Sequence, residues 1–205
     1  IDFTEWMAEV SETDENDVLA NQAPFYFDLS VKDIYQTLRN GCTTYIIAKK
    51  LFMFPTLLVD WLNNHKVTSL IWATSAFRMV ADSGIFEKKR PQCLRQVILG
   101  GEALQAKHLN IWKKAAPECR FINLYGPTEV TVDCTYYKIE RDFADGEPIP
   151  IGKACRNMEV ILLGDDLKPV PDGEAGEICV RGVGLALGYF ADSEKTSRAF
   201  IQNPL

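Results

Sequence analysis

The sequence predicts an α/β fold, a mostly parallel sheet flanked by helices, followed by part of an antiparallel sheet or barrel. Three observations carry that prediction. From about residue 15 to 130, short apolar runs alternate with helical patterns, as in βαβ units. After residue 130 the texture changes to strands separated by Pro/Gly/Asp loops. The chain has 205 residues, 47% hydrophobic and 24% charged, which suits one large domain or two small ones.

The elements follow in order. Ser30-Val-Lys-Asp33 reads as a variant capping box, with Asp where Glu or Gln usually stands. It opens a helix whose Val31, Ile34, Tyr35 and Leu38 share one face at i, i+3, i+4, i+7. Asn40-Gly41 closes it. The β-branched and aromatic run 43–48 is a strand. Pro55 sits in the first turn of a helix carrying Leu57, Leu58, Trp61 and Leu62. Residues 69–72, 96–99 and 120–124 are strands, with helices over 76–81 and 104–115 between them. A long strand is expected over 132–139, a loop over 141–152, and strands over 159–163 and 176–181. Asp192 caps a last helix, 193–200. The domain boundary is expected near the change of texture, giving an α/β part, 1–135, and a partial β-barrel part with its following helix, 136–205.

Composition narrows the function. With 28 acidic and 22 basic side chains the net charge is −6, which speaks against a nucleic-acid surface, since phosphate binding needs a basic patch. No run approaches the ~18 apolar residues of a membrane span. Cys42, Cys93, Cys119, Cys134, Cys155 and Cys179 contain no CxxC pair, so neither a zinc site nor a redox motif is expected. Reduced cysteines in a chain able to bury roughly 70% of its unfolded surface suit a cytoplasmic protein. His108, on the apolar face of its helix, is expected to be a core histidine, and His65 a surface residue near a helix end. The run Glu87-Lys-Lys-Arg90 reads as a solvated loop.

Ligands of open parallel sheets bind beyond the carboxyl ends of the strands. Three segments fit that place: 21–30, 100–104 and 123–129. The last, NLYGPTE, is the richest. Tyr125 offers a face for a flat ring, and Asn123 an amide for a heterocycle's edge. Gly126 allows close backbone approach. Thr128 can bond a phosphate oxygen, and Glu129 is a hard oxygen ligand for Mg²⁺. A plain β-turn with an exposed Glu is the alternative. Gly182-x-Gly184-x-x-x-Gly188 looks like a dinucleotide loop, but Tyr189-Phe190-Ala191 separates it from any helix.

The motifs also carry a resemblance. NLYGPTEVT resembles the signature of amino-acid adenylation domains in the AMP-forming, adenylate-forming superfamily. FDLS (27–30), LGGEAL (99–104) and GEICVRGVGLALGYF (176–190) are similar to three more motifs of that family, in the right order. The resemblance implies a fold: part of the N-terminal domain of such enzymes. It also implies roles. Tyr125 stacks on the adenine of ATP/AMP, Asn123 meets its exocyclic amine, and Gly101, Glu102 and Ala103 wall the purine. Gly126 belongs to the same nucleotide turn. Thr128 holds the α-phosphate and Glu129 the Mg²⁺, as the catalytic pair. Asp28 binds the substrate's α-ammonium. Leu29, Lys32, Trp72, Ile98, Gly100, Leu124, Val132 and Asp133 line the amino-acid pocket, and Trp72 and Leu124 leave room only for a small side chain. Lys32 and Asp133 either pair with each other or read a polar substrate, and Lys32 on a solvated helix face is a further possibility.

The implied reaction has two halves. The substrate carboxylate attacks the α-phosphate of ATP and releases pyrophosphate. The acyl group then passes to the thiol of a phosphopantetheinyl carrier protein. NQAPFYFDLSVKDIYQTL is especially similar to D-alanine–D-alanyl carrier protein ligases, which serve teichoic acid. Gly100 and Lys32 depart from that pattern, where Cys and an apolar residue are usual, and LGGEAL is closer to nonribosomal peptide synthetase adenylation domains. A non-catalytic nucleotide-binding or carrier-docking relative is the other class. The resemblance further implies an internal fragment: a phosphate loop upstream, and a ribose-binding segment and a catalytic Lys downstream. The 205 residues alone are therefore expected not to form an acyl-adenylate.

Overall fold

In the computed structural model, which describes residues 1–203, five parallel strands form the larger part of one sheet. They are β1 (Val18–Asn21), β2 (Thr43–Ile46), β3 (Ser69–Ala73), β4 (Gln96–Gly100) and β5 (Arg120–Tyr125). β6 (Thr135–Lys138) and β7 (Lys153–Ala154) extend it antiparallel, giving the order β2-β1-β3-β4-β5-β6-β7. β8 (Met158–Leu163) and β9 (Glu177–Gly182) pair separately and antiparallel. The first sheet thus runs through Ala154, past the change of sequence texture after residue 130.

Among the described residues six α-helices accompany the strands: α1 (Asp2–Ser11), α2 (Ser30–Asn40), α3 (Pro55–Asn64), α4 (Thr74–Asp82), α5 (Ala106–Ala115) and α6 (Ser193–Ala199). Among the described residues no helix is long and apolar enough to cross a membrane. The expected terminators act as written. Gly41 takes the left-handed conformation and its N–H bonds the Thr37 carbonyl at 3.0 Å. Pro55 stands at the start of α3. Asp192 accepts from the Lys195 N–H at 2.9 Å and caps α6.

The two-residue period of the strands splits the core into two layers. Leu70, Trp72, Val97, Leu99 and Phe121 face α3, α4 and α5, where Leu58, Phe77 and Trp112 meet them. Ile71, Ile98, Ile122 and Leu124 face the other way, toward Trp6, Met7 and Val10 of α1. His108 is buried in its helix and meets Asp82 at 3.0 Å. His65 stacks on Trp61 at the end of α3.

Several sequence expectations are corrected. α1 and β1 are absent from the sequence expectations, although Phe3, Trp6, Met7 and Val10 stand at i, i+3, i+4, i+7 and form the core-facing stripe of α1. β1 is only four residues long, ending at Asn21 just before Gln22-Ala-Pro24. Ser30 does not cap α2. The turn 27–30 is already wound, with Ser30 N–H on the Phe27 carbonyl, so Ser30 lies inside the helix and its hydroxyl is buried without a partner. The face α2 buries is the polar one, Ser30, Lys32, Asp33 and Gln36. Tyr35 is 50% and Leu38 73% exposed. Specific polar contacts win over the apolar period: Asn21 Nδ2 donates to Asp33 Oδ2 at 3.0 Å, and Gln36 Nε2 to the Thr4 carbonyl at 3.1 Å. The strand expected from 132 starts at Thr135, because Thr131 and Val132 both have positive φ, 62° and 71°.

Candidate active site

The carboxyl ends of β1, β3, β4 and β5 open on one edge of the sheet, and the chain reverses its direction of growth at β1, with β2 on one side and β3 on the other. That is where a doubly wound sheet opens a crevice. An open cleft of about 460 Å³ lies farther along the same edge, at the ends of β4 and β5, lined by Gly101, Glu102, Ala103, Asn123, Tyr125 and Gly126, with Ile149 and Ile151. Six residues singled out for a nucleotide base therefore share one cavity.

Each wall has a local cause. Gly101 holds φ +95°, which a side chain would strain. Thr74 Oγ1, at the start of α4, faces the carbonyls of Gly100 and Glu102 at 3.3 and 3.2 Å and ties that loop down. Asn123 donates Nδ2 to the Pro150 carbonyl at 2.9 Å, which orients the carboxamide and keeps the 149–151 strip against the cleft. Tyr125 is half-exposed at the end of β5. Ile149 and Ile151 sit in a loop with no period to announce them. The arrangement offers apolar surface and one oriented amide edge, which suits a flat heterocycle. Gly126, besides lining the cleft, has a structural use. A Cβ there would stand 2.5 Å from the Asp133 Cα, so it admits the protein's own chain.

The turn after Tyr125 brings distant groups together. Thr128 Oγ1 donates to Asp28 Oδ2 at 2.5 Å, across one hundred residues of sequence. Glu129 Oε1 accepts from the Tyr189 hydroxyl at 2.5 Å, and this bond holds its carboxyl below the usual range. Tyr189 was not foreseen as a site residue; its only signal was its place in the GYF end of the 176–190 motif. Among the described residues no three His, Cys, Asp or Glu groups cluster as a metal cage. A cation at Glu129 would thus take one carboxylate and draw its other ligands from phosphate and water, the usual habit of Mg²⁺.

Beneath the turn lies a buried ion pair. Lys32 Nζ is 2.7 Å from Asp133 Oδ2, with side chains 0% and 2% exposed. Lys32 is therefore neither solvated nor unpaired. A Cβ on Gly100 would come within 3.4 Å of Lys32 Nζ and 3.5 Å of Asp133 Oδ1. Gly100 thus lies directly against the ion pair, at ordinary contact distance. The left-handed pair Thr131–Val132 aims Asp133 inward, at a strain of ~1–3 kcal/mol for each residue. Burial pushes the Asp133 carboxyl up and Lys32 opposes the shift, while the neighbouring Asp28 charge pushes it further up. Burial likewise pushes Asp33 up to about 7, against the Asn21 bond and the Lys32 charge.

Leu29, Ile98, Leu124 and Val132 are buried, and Ile98 and Leu124 share the α1-facing layer. Trp72 is not with them. It faces the opposite layer, and its Nε1 donates to the Ala20 carbonyl at 2.9 Å. Alternation along β3 explains this: Ile71 pairs with Ile98 across the ladder and shares its face, while Trp72 pairs with Leu99. The same alternation, read from the sequence, would have selected Ile71.

Comparison with known proteins gives the family. The AMP-binding enzyme family matches residues 2–190. A D-alanine–D-alanyl carrier protein ligase from Bacillus licheniformis is 33% identical over 202 residues, 97% of this chain and 40% of that protein. Tyrocidine synthase 3 of Brevibacillus parabrevis is 35% identical over 193 residues, 93% of this chain and 3% of that protein. The crystal structure of IdnL1 superposes with a TM-score of 0.85 at 30% identity, covering 99% of this chain and 42% of that one. The chain thus spans less than half the length of these relatives. With the family match running over nearly its whole length, this chain belongs to the AMP-binding enzyme family.

Proposed function

We propose that this chain supplies the adenine and amino-acid half-sites of an ATP-dependent ligase. That enzyme converts an amino acid to its aminoacyl-adenylate and passes it to a carrier-protein thiol. The Asp28–Thr128 contact is the observation that carries this reading. It sets a carboxylate able to anchor an ammonium against a hydroxyl able to hold a phosphate oxygen. An α-amino acid needs those two groups side by side when its carboxylate attacks a phosphate. The cleft lined by Gly101–Ala103, Asn123 and Tyr125 would receive the adenine. Glu129, held ionised by Tyr189, would bind Mg²⁺, whose charge offsets that developing on the phosphates.

The substrate side chain would enter toward Ile98, Gly100, Leu124 and Val132, with Ile71 in place of Trp72. The paired Lys32 and Asp133 fill the floor, which favours a small substrate of the D-alanine type. One observation favours a second reading, a nonribosomal-peptide-type domain selecting a polar amino acid. A buried charged pair is costly unless it has a use, and a polar side chain could exchange for one partner. In the full-length enzyme, Asp28→Ala should slow amino-acid-dependent pyrophosphate exchange roughly 10²–10³-fold, equivalent to losing ~3–5 kcal/mol of a desolvated charge pair. An unchanged rate removes Asp28 from the site. Running the same assay across D- and L-amino acids separates the two substrate readings.

A further inference from the structure

After β9 the chain does not simply leave the site. Residues 184–189 fold back over the turn that carries Thr128 and Glu129. The Ala186 N–H donates to the Glu129 carbonyl at 2.8 Å, and Thr131 Oγ1 donates to the Gly184 carbonyl at 2.6 Å. The fit is close: a Cβ on Gly184 would stand 2.6 Å from the Val130 carbonyl oxygen. At the end of this strap the Tyr189 hydroxyl meets Glu129 Oε1. Tyr189 is itself braced by α6. Its N–H donates to Thr196 Oγ1 at 2.9 Å, Lys195 Nζ lies 3.8 Å over its ring, and Phe200 packs edge-on at 5.8 Å. Gly188 holds φ +135° and leaves no room for a side chain, since a Cβ would stand 2.5 Å from Thr196 Cγ2.

A glutamate on an open turn samples several rotamers, and ordering it on a ligand costs free energy. A phenol bonded to one oxygen removes much of that cost and leaves the second oxygen to act. We propose that Tyr189 is a positioning residue for Glu129, and that the 184–189 strap with α6 fixes one carboxylate oxygen so that the other can take the divalent cation of a bound nucleotide. This rests on the reading of Glu129 as the cation's ligand. It adds that the ligand's competence is set from a different part of the chain, sixty residues away.

Binding of Mn²⁺, followed by its spin resonance in the full-length protein with a non-hydrolysable ATP analogue, tests this without turnover. Tyr189→Phe should weaken Mn²⁺ binding about 10–100-fold, the usual cost of losing a partner that orients a metal ligand. It should leave metal-free nucleotide binding and the melting temperature unchanged. Glu129→Gln should weaken Mn²⁺ binding at least as much, and adding Tyr189→Phe to it should cost nothing further, because the two act through one contact. If Glu129→Gln loses the metal while Tyr189→Phe binds it normally, the positioning role is wrong and the Glu129 reading stands. If Glu129→Gln binds Mn²⁺ like the parent, the Glu129 reading fails and the proposal with it. An equal loss of metal-free nucleotide binding in Tyr189→Phe would make the contact merely structural and also overturn the proposal.

Discussion

The two faces of the seven-stranded sheet are built to different rules. On the α3–α5 face the core is apolar and aromatic. Phe77 and Trp112 stack at 4.8 Å, and Trp72 and Phe86 meet Trp112 edge-on. The indole nitrogens there are bonded to backbone, as Trp112 Nε1 is to the Phe77 carbonyl and Trp72 Nε1 to that of Ala20. On the α1–α2 face, α2 buries Lys32, Asp33 and Gln36 beside Asn21 and Asp133. Apolar burial stabilises at roughly 25 cal/mol per Å², whereas buried charges must first repay several kcal/mol of desolvation each. The first face holds the sheet together. The second spends stability to keep charges beneath the turn that carries Thr128 and Glu129, and strained or unfavourable groups of that kind gather at working sites.

That contrast can be broken by substitution, starting with the largest effects. Phe77→Ala should cost about 3–5 kcal/mol by urea unfolding, as a large cavity in a tight core does. Lys32→Ala should cost a similar ~3–5 kcal/mol, but for another reason: it strands the Asp133 charge. Replacing both partners, Lys32→Met with Asp133→Leu, should return most of that loss or exceed it. No second change should rescue Phe77→Ala so simply. If the double replacement is as unstable as Lys32→Ala alone, the pair contributes net stability and the contrast collapses.

A smaller effect sharpens the point through pH. Asp33 is pushed from 3.8 to about 7 by burial. The folded state then holds a proton that the unfolded chain has released, so unfolded chains bind fewer protons between those values. This contribution is complete below about pH 4 and is lost as pH rises through about 7. Asp33→Asn keeps an acceptor for Asn21 and carries no charge. It should flatten the decline in melting temperature between about pH 4 and pH 7 and raise stability at the alkaline end. A slope equal to the parent's would mean that another group sets it. Smallest of all is the rim. Arg39 and Glu5 pair at 2.6 Å with both side chains over a third exposed, so Arg39→Ala should change stability by less than ~1 kcal/mol.

Much of the fold was legible in the sequence where a single physical rule acts alone. Gly41, Pro55 and Asp192 terminate helices through backbone geometry and one local bond. The strands around Leu70, Val97 and Phe121 are continuous apolar runs because both faces are covered. Legibility failed where two rules compete. Tyr35 and Leu38 made the stronger helical stripe, yet α2 turned Lys32 and Asp33 inward, since their partners Asp133 and Asn21 lie 101 and 12 residues away in the sequence. Trp72 had the right size and neighbourhood for a pocket wall, but one step along β3 put it on the other face.

The sequence alone determined the class of fold and the place of the site. Periodicity sets which segments are strands and helices, and the Gly, Pro, Thr and Asp clusters mark where strand ends open. Those are properties of neighbouring residues. Only the tertiary structure decided which side chains meet: Thr128 with Asp28, Glu129 with Tyr189, Lys32 with Asp133. Each pair is separated by at least sixty residues. Its geometry depends on strand order, the left-handed turn at Thr131–Val132 and the close backbone approaches at Gly126 and Gly184. No local pattern encodes a contact that exists only once the whole sheet has brought two distant loops to the same edge.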